Sequence, residues 1–257
     1  MAEKVKGQAL VLRLEALSEG IYSLWIKEQT IAKEAKPGQF ISFFSKDGSR
    51  LLPRPISICE INKEEGTLRV VFRVVGFGTK EFSQLKEGET VEVMGPLGNG
   101  FTLEGKKAIL IGGGIGIPPM LELAKSLSIE KSIVLGYRTN DLFLKNEFET
   151  YGDVYVSTED GTVGTKGNVI DAIIEHRIEG DIIFACGPTP MLKGIKAYAQ
   201  EHGIKAQLSL EEKMACGIGA CLACVCKSKE KDQHTNVNNK RICKDGPVFY
   251  ADEIDGF

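Results

Sequence analysis

Three cysteines packed into one short segment constrain the fold of this chain more than any other feature. Cys216, Cys221 and Cys224 follow the spacing CxxxxCxxC, and Cys243 comes after them in the segment CKDGPVF. This spacing is typical of plant-type 2Fe-2S sites, in which one loop wraps the inorganic core and its amides donate to the sulfurs. The pattern predicts a 2Fe-2S cluster held by these four cysteines, and therefore one-electron chemistry.

Zinc is the alternative metal that four thiolates could bind. Structural zinc sites usually divide their ligands between two separated halves, whereas here three ligands share one loop, which Gly217 and Gly219 allow to curl. Disulfides are not expected, because the chain does not open with the charged and apolar segments of a secretory leader. We therefore expect a cytoplasmic protein with reduced thiols, in which Cys226 is a spare thiol and Cys59 a core residue.

Composition narrows the class of protein. The chain has 257 residues, 42% of them hydrophobic, which suits two globular domains with a small appendage. The net charge of -3 and the lack of a dense basic patch argue against nucleic acid as a partner. No apolar run approaches the ~18 residues that span a bilayer, so no membrane segment is expected.

The hydrophobic pattern changes near Lys106. Before it, short apolar or alternating segments separated by turn residues predict a closed antiparallel β-barrel over residues 1–100. After it, apolar strands alternate with helical stretches, which predicts an α/β domain with a doubly wound parallel sheet over residues 101–208. Residues 209–257 form the cysteine module, and its polar segment 227–241 is expected to be a surface loop.

Two glycine-rich or proline-rich turns follow strands of the predicted α/β sheet. GGGIGIPPM begins at Gly112 and opens a helix, where backbone amides and the helix dipole can hold a pyrophosphate. It departs from the GxGxxG fingerprint at Ile117, so a simple tight turn is the alternative. CGPTPML begins at Cys186 and also opens a helix, which strengthens the prediction of a ligand site at this sheet edge.

A second anion site is predicted in the barrel. LLPRPISI places Arg54 beside two prolines and Ser57, and FRVVGFGTKEFS supplies Gly76, Gly78 and Thr79. An arginine, glycine amides and a hydroxyl can together hold a pyrophosphate. Arg54 alone would more often be a surface salt-bridge residue, so the prediction depends on the combination.

RPIS in a barrel, the GFGT segment, GGGIGIPPM and CGPTPML together resemble the ferredoxin-NADP reductase superfamily over roughly the first 205 residues. With CGIGACLACVC and CKDGPVF added, the whole chain resembles the iron-sulfur electron-transfer subunits of class 1B dihydroorotate dehydrogenases. Small flavin and iron-sulfur subunits of sulfide dehydrogenase or of NADH-dependent ferredoxin:NADP oxidoreductase are similar over the whole length. Their cluster usually has aspartate in place of one cysteine, and here all four thiols are present.

The resemblance implies an FAD in the barrel domain and NAD(H) as diffusible substrate in the α/β domain. For FAD it implies Arg54, Pro55, Ile56, Ser57, Phe72, Arg73, Val74, Gly78 and Thr79. For the nicotinamide dinucleotide it implies Gly112, Gly113, Gly114, Gly116, Cys186, Gly187 and Pro188. Ser57 and Cys186 would lie near the flavin and nicotinamide rings, and no catalytic residue beyond the redox cofactors is implied.

The resemblance also implies a function. The chain would carry electrons from an FMN-containing dihydroorotate dehydrogenase catalytic subunit, through the cluster and FAD, to NAD⁺ in pyrimidine biosynthesis, as part of a heterotetramer with two copies of each subunit. Dihydroorotate oxidation would belong to the partner, because the three histidines here form no acid-base cluster. A reductase fold that lost turnover and became a redox-sensing or zinc-stapled module is the alternative from another class.

Coenzyme preference depends on the surroundings of the adenosine ribose. Arg138 is a candidate for meeting a 2′-phosphate, while Glu159 and Asp160 are candidate partners of free ribose hydroxyls. The alternatives are a solvated loop arginine and an Asp-Gly turn. NAD is the preferred prediction.

Overall fold

The first half of the chain is a closed antiparallel barrel, as the sequence predicts. A computed structural model describes residues 4–231 and 236–255. The barrel strands are β1 (Val5–Ser18), β2 (Ile21–Lys27), β3 (Phe40–Phe43), β4 (Arg54–Asn62), β5 (Thr67–Arg73) and β6 (Thr90–Leu97), in the order β1-β2-β5-β4-β3-β6. Two short helices that the pattern did not predict, α1 (Gln29–Glu34) and α2 (Phe77–Phe82), interrupt the strands.

The barrel interior is filled by the inward-facing side chains of these strands. Ile26, Phe43, Ile58 and Val70 are completely buried there. Burial of each such side chain contributes about 1.5–3 kcal/mol, so the alternating pattern fixes the strand register. Since β4 and β5 are antiparallel neighbours, β4 begins at the barrel end where β5 finishes. The two predicted anion-binding segments are therefore brought to one end of the barrel.

The second half is an α/β sandwich around a seven-stranded sheet. Its elements are β7 (Lys107–Gly113), α3 (Pro118–Ser126), β8 (Glu130–Tyr137), α4 (Lys145–Phe148), β9 (Asp153–Thr158), β10 (Thr165–Lys166), α5 (Val169–Glu175), β11 (Ile182–Cys186), α6 (Thr189–His202) and β12 (Lys205–Ser209). The six strands in the order β10-β9-β8-β7-β11-β12 are parallel. The chain adds β8 to β10 on one side of β7 and then β11 and β12 on the other side, so the strand order reverses at β7. Such a reversal opens a crevice at the carboxyl ends of the strands.

The cysteine module is joined to both larger parts. Strands β13 (Val225–Lys227) and β14 (Asn239–Arg241) pair as a small sheet, and β15 (Val248–Tyr250) adds an antiparallel edge strand beside β12. This edge strand was not predicted. Residues 232–235 of the predicted surface loop lie outside the described residues. Residues 1–3, at the start of the segment that was searched for a leader pattern, also lie outside them.

The described helices are all too short or too polar to cross a membrane.

Candidate functional site

Arg54 opens strand β4 and lies against Gly78, in the first turn of the helix α2 that follows β5. A side chain at Gly78 would meet the guanidinium of Arg54, with its Cβ 2.4 Å from Nε. Arg54 Nη1 also donates a hydrogen bond to the carbonyl oxygen of Leu52. The glycine is therefore needed at this position for the arginine to lie over the turn, and the structure brings these two predicted residues together.

Thr79 holds the turn in shape. Its Oγ1 accepts hydrogen bonds from the backbone N–H of Val75 at 3.0 Å and of Gly76 at 3.2 Å. Ile56 and Phe72 are buried, and the Phe72 ring stacks on Tyr22 with centroids 6.0 Å apart. At these two positions only the backbone is available to a ligand, since the side chains belong to the barrel core.

The remaining predicted residues of the barrel site differ in exposure. Pro55 and Arg73 are exposed, while Ser57 and Val74 are half-buried. Ser57 is paired with Phe40 across β3 and β4. Arg73 is the residue that connects this site to the next one, because it also lines the cleft of the α/β domain.

A cleft of about 1070 Å³ lies at the carboxyl ends of β7, β8 and β9. The end of β7 contributes Gly113, the turn after it contributes Gly114, and the turn after β11 contributes Pro188. This volume suits a dinucleotide-sized ligand, since small-molecule sites span about 300–1,000 Å³. Four of the residues that the resemblance implies for FAD or the nicotinamide dinucleotide, counting Arg73, thus line one cleft.

Gly116 allows the two predicted turns to touch. A Cβ at Gly116 would lie 2.5 Å from the backbone carbonyl of Cys186 and 2.6 Å from the Cα of Gly187. Cys186 itself is 1% exposed, and burial raises the pKa of its thiol to about 12. It is not among the side chains that line the cleft, so its predicted position beside the nicotinamide remains a prediction.

The sequence did not single out Ser157, which ends up in the floor of the cleft. Its Oγ is fully buried and has no hydrogen-bond partner among the described residues. Buried hydroxyls are normally satisfied, so this unpaired one is an exception among the residues around the cleft. Its position at the carboxyl end of a parallel strand was the available signal.

Arg138, Glu159 and Asp160, the three candidates for coenzyme recognition, line the same cleft. Arg138 Nε lies 3.9 Å from Glu159 Oε2, with both side chains largely exposed. Hydrogen bonds from the side chain and the backbone N–H of Thr162 lower the pKa of Asp160. The rim thus presents two carboxylates and one arginine that is paired to one of them.

Glu159→Gln should raise kcat/KM for NADPH relative to NADH by about tenfold, equivalent to ~1.4 kcal/mol. The substitution removes a charge that repels a 2′-phosphate and releases Arg138 to meet it. Arg138→Ala in the same background should abolish the gain. Steady-state kinetics with both coenzymes provide the measurement, and Glu149→Gln, at an exposed position paired with Lys145, is the control. An unchanged ratio in Glu159→Gln would contradict the assignment.

The cysteine loop directs backbone amides at its thiols. Cys216 Sγ accepts from the N–H of Ile218 at 3.5 Å and of Ala220 at 3.3 Å. Cys243 Sγ accepts from the N–H of Gly219 at 3.1 Å. Gly219 has φ +85°, and the Lys244 side chain occupies the space a Cβ would need, 2.6 Å away. Any other residue here would be strained as well as crowded.

The four predicted ligands lie as two neighbouring pairs of thiols. Cys221 adjoins Cys216, and Cys224 adjoins Cys243. Within the described ranges, no three His, Cys, Asp or Glu side chains converge on one metal-ion position. Although partial burial opposes it, hydrogen bonds from the loop lower the pKa of Cys216 to about 6, whereas burial and then the adjacent Cys224 raise that of Cys243.

Cys226 and Cys59 have different surroundings from the four predicted ligands. Cys226 Sγ donates to the Lys240 carbonyl at 3.6 Å within the β13–β14 pair, and burial raises its pKa to about 11. Cys59 is completely buried where the barrel meets the α/β domain, and burial raises the pKa of its thiol well above the ordinary value. Neither thiol is paired with the cysteine loop in the way the four predicted ligands are.

Comparison with known proteins decides the family. The electron transfer subunit of dihydroorotate dehydrogenase B (NAD(+)) from Fusobacterium nucleatum is 42% identical over 252 residues, covering 93% of this chain and 94% of that protein. The subunit of the same name from Bacillus velezensis is 43% identical over 249 residues, with the same coverage. The chain belongs to the family of dihydroorotate dehydrogenase B electron transfer subunits.

Two family models match two separate segments of the chain. Residues 211–255 match the iron-sulfur cluster binding domain of dihydroorotate dehydrogenase B, and residues 110–197 match the oxidoreductase NAD-binding domain. The predictions of an iron-sulfur module and of an NAD-linked oxidoreductase subunit are thereby confirmed. The boundaries 1–100, 101–208 and 209–257 and the individual site residues stay predictions.

Solved structures confirm the fold expected of this family. The NADH-dependent reduced ferredoxin-NADP oxidoreductase, solved in a study of flavin-based electron bifurcation, superposes with a TM-score of 0.86 at 35% identity, covering 96% of this chain and 89% of that one. A Neisseria gonorrhoeae ferredoxin NADP⁺ reductase with bound FAD and NADP has a TM-score of 0.64 at 16% identity, covering 77% and 92%. That second likeness shows the fold alone.

Proposed function

We propose that this chain receives electrons from an FMN-containing dihydroorotate dehydrogenase catalytic subunit and delivers them to NAD⁺ in pyrimidine biosynthesis. Its cofactors would be a 2Fe-2S cluster and FAD, with NAD(H) as the diffusible substrate. When bound, the cluster supplies one-electron transfer and the flavin converts single electrons to a hydride. The family membership and the two domain matches support this proposal.

The cysteine loop fits a 2Fe-2S cluster. A cluster of this type takes four thiolates, two on each iron, and the thiols lie as two pairs of two. Cys216, Cys221, Cys224 and Cys243 would hold it. The amides of Ile218, Gly219 and Ala220 would donate to its sulfur ligands, which stabilises a negatively charged centre.

The barrel turn and the cleft fit the two nucleotides. Arg54 would hold the FAD phosphates, and the backbone of Gly78 and Thr79 would approach closely because Gly78 has no side chain. Gly113, Gly114 and Pro188 would cradle NAD(H) in the cleft, with Arg73 between the two sites.

The packing of the cysteine loop on the barrel is the observation that carries the proposed electron route. A Cβ at Gly217 would lie 3.2 Å from Ser42 Oγ and 3.4 Å from Leu97 Cδ1. Ser42 is paired with Pro55, in the strand that also carries Arg54 and Ser57. One β-strand therefore separates the cysteine loop from the flavin-binding segment, and this short separation supports direct electron transfer between them.

The outer side of the same loop is the proposed docking surface for the catalytic subunit. Cys221 is exposed there, and Ile218, Leu222 and Val225 are 45%, 44% and 38% exposed. Apolar side chains of this kind at a surface are typical of protein interfaces. Docking here would place the partner beside the cluster, and a heterotetramer with two copies of each subunit is the proposed assembly.

Co-expression with the catalytic subunit tests the proposal. The purified complex should contain FAD, FMN and two irons per copy of this chain, and it should reduce NAD⁺ when dihydroorotate is added. Size-exclusion chromatography with light scattering measures the assembly. A colourless chain from anaerobic expression, or a flavin-loaded complex without dihydroorotate-dependent NAD⁺ reduction, would refute the proposal.

A second candidate function is that of a small subunit of an NADH-dependent ferredoxin:NADP oxidoreductase. The TM-score of 0.86 over almost the whole chain favours considering it. In that case the complex would reduce NADP⁺ with reduced ferredoxin and NADH, and dihydroorotate would have no effect. Assays of both substrate pairs on one preparation separate the two functions.

A further inference from the structure

Glu122 is a buried carboxylate that neither cofactor site uses. It lies in the middle of α3, the helix that begins directly after the Gly112–Gly116 turn, and it is 6% exposed. Burial raises its pKa, against the hydrogen bond it receives from a backbone N–H. Acidic side chains are rarely buried without a specific partner, so the contacts of this residue call for an explanation.

Those contacts cross from the α/β domain to the barrel. Glu122 Oε2 accepts a hydrogen bond of 2.8 Å from the backbone N–H of Ile61 in β4, and Oε1 accepts one of 3.1 Å from Ser126 Oγ. Strand β3 pairs with β4 only at residues 54–57 of β4. The rest of β4 therefore has no strand partner along this edge. Glu122 takes the place of a strand by satisfying the Ile61 N–H.

A second contact joins the same two domains. Arg69 in β5 is 4% exposed, and its Nη2 donates to Glu147 Oε1 in α4 at 3.1 Å. Its Nη1 also bonds Glu60 Oε2 at 2.8 Å, and its Nε bonds Ser23 Oγ at 2.7 Å. The arginine is thus fixed on the barrel side before it reaches the α/β domain.

The Glu122 bond connects helix α3 to strand β4. Helix α3 packs along β4. The helix is preceded by the turn predicted to hold the dinucleotide, and the strand starts with Arg54–Ser57, predicted to hold the flavin. A bond between the middle of the helix and the strand therefore contributes to the separation of the two predicted sites, together with the Arg69–Glu147 contact.

We infer that Glu122 is a positioning residue for hydride transfer, because it fixes the nicotinamide-binding turn relative to the flavin-binding strand. This inference rests on the proposed function. Hydride transfer is sensitive to geometry, and a displacement of about 1 Å can cost about 10²-fold in rate. Loss of the Glu122 bond should therefore change the chemical step more than the binding of either nucleotide.

The test is anaerobic stopped-flow reduction of the FAD-loaded full chain by NADH. Glu122→Ala should lower the limiting rate of flavin reduction by about 10- to 100-fold, weaken the long-wavelength absorbance of the nicotinamide–flavin complex, and change Kd for NADH by less than about threefold. Glu122→Gln keeps an acceptor oxygen within reach of Ile61 and should stay within about threefold of the wild-type rate.

Two further variants keep the test decisive. Glu122→Asp retains the charge but is one methylene shorter, so it should fold and still lose at least about tenfold in the limiting rate. Ile26→Val, in the barrel core and away from the interface, should lower Tm while leaving that rate unchanged. Equal rates in the wild type and in Glu122→Asp, or equal losses in Ile26→Val and Glu122→Ala, would overturn the inference. Failure of the wild type to accept hydride at all would instead count against the proposed function.

Discussion

Cys243→Ser should abolish the iron-sulfur cluster, whereas Cys226→Ser should leave it intact. Cys243 is 1% exposed, lies beside Cys224 and accepts the Gly219 N–H at 3.1 Å. A serine hydroxyl there is a much poorer ligand for iron than a thiolate. Substitution of a residue that hydrogen-bonds a metal ligand typically lowers metal affinity or activity by about 10–100-fold. Loss of the ligand itself should cost more, so dihydroorotate-dependent NAD⁺ reduction should fall by more than about 100-fold.

The matched variant separates ligand loss from general damage to the module. Cys226 is also partly buried, but its thiol bonds the Lys240 carbonyl in the β13–β14 pair. Iron content, the visible spectrum and electron paramagnetic resonance of the reduced protein are the measurements. NADH oxidation by an artificial acceptor should survive in both variants, because the flavin site is untouched. A cluster that is retained in Cys243→Ser and lost in Cys226→Ser would reverse the ligand assignment.

Arg54→Ala should weaken FAD binding by about 100-fold. The guanidinium is held over Gly78 at the end of the barrel where β4 begins, with no side chain between it and the turn. A charge-assisted bidentate bond to a phosphate contributes about 1.5–3 kcal/mol, and 2.7 kcal/mol corresponds to about two orders of magnitude in Kd. Arg54→Lys should recover part of this, because the point charge remains while the fork geometry is lost.

Flavin fluorescence titration of the deflavinated chain gives the Kd directly. Arg13→Ala is the control, since Arg13 is an exposed barrel arginine in β1, away from β4, and is paired with Glu15 of its own strand. It should bind FAD like the wild type. Equal FAD affinity in Arg54→Ala and Arg13→Ala would show that Arg54 is only a surface residue, the reading that the isolated motif also allowed.

The regular elements could be predicted because their hydrophobic periods are strong and local. Each of the six barrel strands was expected from its apolar or alternating segment, and KAILIGG coincides with β7 at both ends. The short helices α1 and α2 were missed, since six residues are too few to show a helical period. Strand β15 was missed because three residues in a cysteine-rich segment show no alternation.

The candidate site was predictable only in part. The chemistry of Arg54, Gly116 and the four cysteines can be read from spacing, because glycine, arginine and thiol have few substitutes in these roles. Ile56 and Phe72 were assigned with the flavin motif, yet their side chains are buried in the barrel. The side toward which a strand residue points depends on pairing with its neighbours, which a motif does not specify.

By itself, the sequence determined the two folds, and it predicted a cysteine ligand set and two phosphate-binding turns, because these depend on period, spacing and residue type along the chain. The tertiary structure alone decided how the parts are arranged: Gly217 against Ser42, Ser157 unpaired in the cleft, and Glu122 bonded to Ile61. These contacts join residues far apart in the chain. Their formation depends on how whole elements pack, and no local pattern of side chains records that packing.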